Sequence, residues 1–132
     1  MNKIIIALFS LAVLSFFACE REYDAGTMAS KSDARVIIVS IDVRDVPYES
    51  QRSFYDHSAK VNTIQILPGM DWTTFTVFVT PTLYSTMTPY AGFEDDWSSG
   101  SKSYTITSGD GSATNTYTVQ IVEVAEFGNN NP

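Results

Sequence analysis

The sequence predicts an all-β fold of two face-to-face sheets, and three observations predict it. Apolar and polar residues alternate with period two along several short runs. Those runs are dominated by β-branched and aromatic residues, and Gly, Pro and one Asp-Gly pair punctuate them. No stretch after the first nineteen residues carries an apolar 3.6-residue period with caps, so no helix longer than a turn is expected there. The 132 residues, 44% apolar and 17% charged, fit a single domain.

The first element lies outside that domain. Lys3 is the lone charge before Cys19, and Ile4 to Ala18 is an apolar run. The run suits a signal-peptide core and is shorter than the roughly 20 residues a spanning helix needs. An ordinary signal peptidase wants small residues at both -3 and -1, and Phe16 is too large for -3. Phe16-Phe17-Ala18-Cys19 resembles a bacterial lipobox, in which the cysteine becomes the acylated first residue. Residues 1–18 are therefore read as a lipoprotein signal peptide and Cys19 as the lipidation site. Acylation would consume the chain's one thiol, which leaves no redox or catalytic cysteine, and a multiply acylated terminus anchors stably. Residues 19–34 are small and polar without apolar periodicity, as expected of a tether. The cluster Glu20-Arg21-Glu22-Tyr23-Asp24 resembles the surface-export signal of Bacteroides-type lipoproteins.

Strands follow from Arg35 onward. Val36 to Val43 is rich in β-branched residues and alternates toward its end, as a half-buried strand does. Arg44 to Lys60 is irregular: Pro47 interrupts it, and a short strand or bulged edge is expected there. Val61 to Leu67 alternates with Ile64 and Ile66 on one face and stops at the Pro68-Gly69 turn signal. Thr73 to Thr80 is the clearest strand, with Phe75, Val77 and Val79 on one face. Pro81 and Pro89 bracket a Thr-rich stretch that is excluded from a central ladder. Ser103 to Thr107, the Asp110-Gly111 turn and Thr116 to Val124 predict a closing hairpin. Residues 126–132 read as a tail or linker. About seven short strands over residues 35–125 predict an immunoglobulin-like antiparallel β-sandwich, with a small closed barrel as the alternative.

Within that stretch Tyr104-Thr105-Ile106-Thr107, Asp110-Gly111 and Tyr117-Thr118-Val119 form one pattern. Upstream, Thr63-Ile64-Gln65-Ile66 is followed by Gly69, Asp71 and Thr73, and Phe93 to Asp96 precedes the hairpin. Together these resemble the N-terminal Ig-like (cadherin-like) β-sandwich domain of Bacteroides-type surface lipoproteins. The resemblance implies a lipid-anchored module on the bacterial outer membrane, facing outward. In larger relatives such a domain precedes a second sandwich, whose activity does not transfer to this chain.

Charge and chemistry narrow the function. Fifteen acidic against eight basic residues leave a net charge of -7, without the basic stripe that nucleic acid requires. One Cys and one His, His57, cannot build a zinc-type cluster. His57 stands in a loop-like stretch without a converging nucleophile. Glu49 with Asp56, or Glu94 with Asp95, could be paired on paper, but glycoside cleavage needs two carboxyls flanking a cleft about 5 Å or about 6.5–9.5 Å apart. Glu94, Asp95 and Asp96, with Asp42 and Asp45 elsewhere, are calcium-type ligands, but none follows a spaced Asp-x-Asp-x-Asp-Gly loop. No metal and no cofactor are assigned.

The segment from Tyr84 to Trp97 sets aromatic rings beside carboxylates. Aromatic faces stack on the C–H faces of pyranose rings while carboxylates accept hydroxyl hydrogen bonds. Tyr90, Phe93 and Trp97, with Asp95 and Asp96, are the candidate glycan platform; in the plainer reading these rings plug the end of the sandwich. The expected function is a non-enzymatic, lipid-anchored spacer or adhesion module whose partners are the membrane, through Cys19, and an envelope protein. A surface glycan-binding lipoprotein for polysaccharide capture is the alternative.

Overall fold

The computed structural model describes residues 31–128, so the expected signal peptide, the expected lipidation site Cys19, most of the expected tether and residues 129–132 lie outside it. The described chain is an all-β sandwich. Its strands are β1 (Val36–Ile41), β2 (Gln51–Asp56), β3 (Val61–Ile66), β4 (Phe75–Pro81), β5 (Thr86–Thr88), β6 (Glu94–Asp95), β7 (Ser101–Thr107) and β8 (Thr114–Glu123). A single 3-10 turn, Tyr48–Ser50, is the helical element among the described residues. One sheet has the order β1-β4-β6 and the other β2-β3-β8-β7-β5.

Alternation becomes burial in the strands. Phe75, Val77 and Val79 face inward from β4, and Val36, Val39 and Ile41 do so from β1. Ile64, Ile66, Tyr104, Ile106, Tyr117, Val119 and Ile121 meet them from the five-stranded sheet. A bulge between Val36 and Ile38 shifts the register of β1 on β4, which leaves Ile37 and Ile38 both outside. Asn62 holds an inward slot on β3, where its amide is fully buried without a hydrogen-bond partner among the described residues. That is a net cost in an apolar core.

Neighbouring strands pair antiparallel except β3 and β8, which run parallel from Val61 beside Thr118 to Ile66 beside Glu123. The closing hairpin forms as its Asp-Gly signal predicts. Asp110 Oδ1 accepts from Ser112 N (2.9 Å), Ser112 Oγ (2.7 Å) and Ser108 Oγ (2.9 Å), while Gly111 takes φ 73°. Gly109 sits so close to the turn at Tyr84 that a Cβ there would lie 2.8 Å from its carbonyl oxygen.

Two boundaries differ from the sequence expectation. Residues 31–34, read as the end of a tether, are bound to the sandwich: Ala34 is buried, its carbonyl accepts from Asn115 Nδ2 (3.0 Å), and the Lys31 carbonyl accepts from Asp110 N (3.0 Å). Beyond β8, Val124 N donates to the Ile66 carbonyl, and the Arg52 guanidinium lies 4.5 Å from the centre of the Phe127 ring. Within 44–60, where a short strand or bulged edge is expected, the structure places the six-residue strand β2.

Candidate functional site

The predicted platform is divided by the fold. Tyr90 is 82% exposed and Phe93 55%, but Trp97 is only 2% exposed and belongs to the core. The correction has a backbone cause. Trp97 N donates to the Trp72 carbonyl at 2.7 Å and Gly100 N closes a turn on the Trp97 carbonyl at 2.8 Å, which turns the indole inward. Lys102 Nζ covers the ring at 4.9 Å and forms an ion pair with Asp95. That pairing, with an added backbone bond from Asp96, holds the Asp95 carboxyl below the usual range. Asp96 is lowered by its bonds from Ser98 and serves the local turn. Trp72 is half-buried against the core, its ring tilted 6.0 Å from that of Phe75.

The other residues weighed for chemistry are also engaged locally. His57 Nδ1 lies 3.3 Å from the Tyr117 hydroxyl, and its ring stacks on Tyr55. Asp45 Oδ2 accepts from Thr76 N at 2.7 Å and pins the chain to the start of β4. Among the described residues no three His, Cys, Asp or Glu side chains come together as a metal site.

A second group of rings meets at the corner where β1, the 3-10 turn and β2 adjoin. An open groove of about 1030 Å³ runs there, lined by Val39 to Val43, Tyr48, Glu49, Gln51 to Phe54 and Phe78. Asp42 starts it: its carbonyl accepts from Asp45 N and Val46 N, and the resulting tight turn seats the fully buried Val46. Pro47 then opens the 3-10 turn and leaves Tyr48 82% exposed. Phe54 (43% exposed) points away from the core on β2, and Phe78 (41%) stands on the outer face of β4 opposite Ser40.

The floor of the groove is built by an unusual edge. Gln51, Ser53 and Tyr55, alternate residues of β2, reach across to the free side of β1. Gln51 Oε1 accepts from Ile41 N and Gln51 Nε2 donates to the Ile41 carbonyl, both at 2.8 Å, and to the Val46 carbonyl at 2.8 Å. Ser53 Oγ donates to the Val39 carbonyl at 2.7 Å, and Val39 N donates to the Tyr55 hydroxyl at 3.2 Å. Side chains thus replace a neighbouring strand and satisfy backbone groups that an open edge would present. Polar charge sits along the rim. Asp42 is gripped by the Arg44 side chain (2.6 Å), which lowers its carboxyl to about 2, and Glu49 projects beside Tyr48.

Sequence reasoning missed this groove because Phe78 is far from Tyr48 and Phe54 in the chain and β2 lacks an apolar face. The signal was present in Gln51, Ser53 and Tyr55, whose period-two spacing is that of a strand.

No family model matches the chain, and no curated protein matches it significantly. Among solved structures the fold is similar to a putative glycoside hydrolase from Bacteroides thetaiotaomicron, with TM-score 0.59 and 22% identity over 73% of this chain. The match spans 26% of that protein, so this chain corresponds to about a quarter of it. It is also similar to a putative secreted protein from Bacteroides fragilis, with TM-score 0.56 and 15% identity over 70% of this chain and 97% of the other. At these identities the likeness is one of fold.

Proposed function

We propose that the chain is a non-enzymatic, lipid-anchored module of the bacterial cell envelope, immunoglobulin-like in build, acting as a spacer or adhesion-type interaction domain. One observation carries this reading. The sandwich uses Asp42, Asp45, Asp56, Asp95, Asp96 and its histidine in turns, ion pairs and ring contacts of its own, while Glu49 stands with exposed rings around an open groove. Such a surface suits recognition better than bond cleavage, which needs converging groups aimed at one reacting atom. The two structural likenesses add support: a similar sandwich makes up nearly all of the solved chain of one putative secreted protein and about a quarter of the other solved chain. Both contexts suit a self-contained module.

The anchor rests on the leader and Cys19, and the display outward on the acidic residues that follow, as the resemblance to Bacteroides-type surface lipoproteins implies. The test is metabolic labelling with a radioactive fatty acid, followed by membrane fractionation and protease treatment of whole cells. The wild-type chain is expected to carry label and to be shaved from intact cells. Cys19→Ala is expected to lose the label and leave the membrane fraction. A wild-type chain that carries no lipid overturns the anchor.

Polysaccharide capture remains the second reading, favoured by the exposure of Tyr90 and Phe93. With Trp97 in the core, those two rings lack the third member of the proposed platform.

A further inference from the structure

We infer that the groove at the β1–β2 corner binds a neutral polysaccharide, with Tyr48, Phe54 and Phe78 as the stacking surfaces; the inference rests on the interaction-module reading and supplies its ligand class.

The rings come first. Three aromatic side chains at 82%, 43% and 41% exposure share one open groove. Exposed rings without a partner carry a solvation cost, and stacking on the apolar C–H faces of a sugar removes it. An open site of about 1030 Å³ has room for more than one sugar ring, which a polymer supplies.

Polar groups are supplied beside the rings. Glu49, Arg52, the hydroxyl of Tyr48 and Ser40 lie along the lining, a mixture of acceptors and donors that matches sugar hydroxyls. The charge selects among polymers. Arg44 is neutralised by Asp42, and Arg52 is stacked on Phe127 and reaches the Gly128 carbonyl at 3.4 Å. Asp42 is cancelled by Arg44 in the same way, so Glu49 and Arg52 are the charges left at the groove; the net charge of -7 over the whole chain disfavours uronic acid or sulfated chains. An uncharged hexose polymer meets no such penalty.

Peptide recognition is the competing use of a groove beside a sheet edge. Strand addition works by pairing with free backbone groups. Here Val39 and Ile41 have their N–H and carbonyl groups bonded to Gln51, Ser53 and Tyr55. An extended peptide would find that stretch of β1 already occupied, whereas a sugar needs only the rings and rim.

The experiment is electrophoresis of the detergent-solubilised full chain through native gels. The gels contain a soluble β-glucan, an α-mannan, a galactan or, as a charged control, polygalacturonate. At least one neutral polymer is expected to retard the wild type and polygalacturonate is not. Tyr48→Ala and Phe54→Ala are each expected to weaken retardation about tenfold. Leu83→Ala, an exposed apolar side chain outside both groups of rings, leaves retardation unchanged. Tyr48→Ala cannot act through misfolding, because its ring is 82% exposed, and an unchanged melting temperature verifies this. The assignment is overturned if no neutral polymer retards the chain, if both groove variants bind as the wild type does, or if Tyr90→Ala abolishes binding. A chain that remains lipid-anchored through Cys19 yet ignores every polymer overturns the ligand and leaves the envelope module standing. A chain that binds a polymer without being acylated does the reverse.

Discussion

The segment from Tyr84 to Trp97 and the corner from Ile41 to Phe54 both set aromatic rings among carboxylates, yet the fold puts them to different use. In the first, Trp97 is turned into the core and Asp95 is tied to the lysine that covers it. In the second, Tyr48 and Phe54 stay outside, because the positions of β2 that face the other sheet are taken by polar side chains serving β1. Ring and carboxylate composition therefore says little about a site. What separates a plug from a platform is which backbone groups its neighbours must satisfy.

The sharpest way to break the comparison is Trp97→Ala. Loss of a fully packed indole costs about 3–5 kcal/mol, a large part of the stability of a domain this size. Chemical denaturation should show a strongly lowered midpoint, and an unchanged midpoint would mean that the ring is no core residue. Gln51→Ala tests the other side. It strips the partners from the Ile41 N–H and carbonyl and from the Val46 carbonyl, so a loss of about 1–3 kcal/mol is expected by the same assay. A neutral result would show that water replaces the side-chain ladder at no cost.

The smallest effect concerns Asp42. Its carboxyl is lowered to about 2 by the Arg44 hydrogen bonds, so its folded value lies below its unfolded one. The pairing therefore stabilises the fold fully above about pH 4 and is lost as pH falls through about 2. NMR titration should find this midpoint in the wild type and return it toward about 3.9 in Arg44→Ala. Because Arg44 is 82% exposed, neutral-pH stability should barely change.

Much of the architecture was legible from the residues. The alternation of Phe75, Val77 and Val79, and that of Tyr117, Val119 and Ile121, became burial as expected, and the Asp110 turn formed where its chemistry placed it. The short strand expected between Arg44 and Lys60 is β2, but its bounds and its role were not legible, because Gln51, Ser53 and Tyr55 replace its apolar face and their partners are backbone atoms of β1. Asn62 occupies the same inward parity as Ile64 and Ile66, yet no polar group nearby explains it. Of the rings proposed as a platform or as a plug, Tyr90 and Phe93 are exposed and Trp97 is buried, a division that residue type alone does not announce.

By itself the sequence determined the class of fold and the closing hairpin, because these follow from local period and turn chemistry. The tertiary structure alone decided the parallel β3–β8 pairing, the register shift in β1, the burial of Trp97 and the groove. Each of those depends on contacts between residues far apart in the chain, where one residue's hydrogen-bonding need is met by another's side chain and no local pattern records the match.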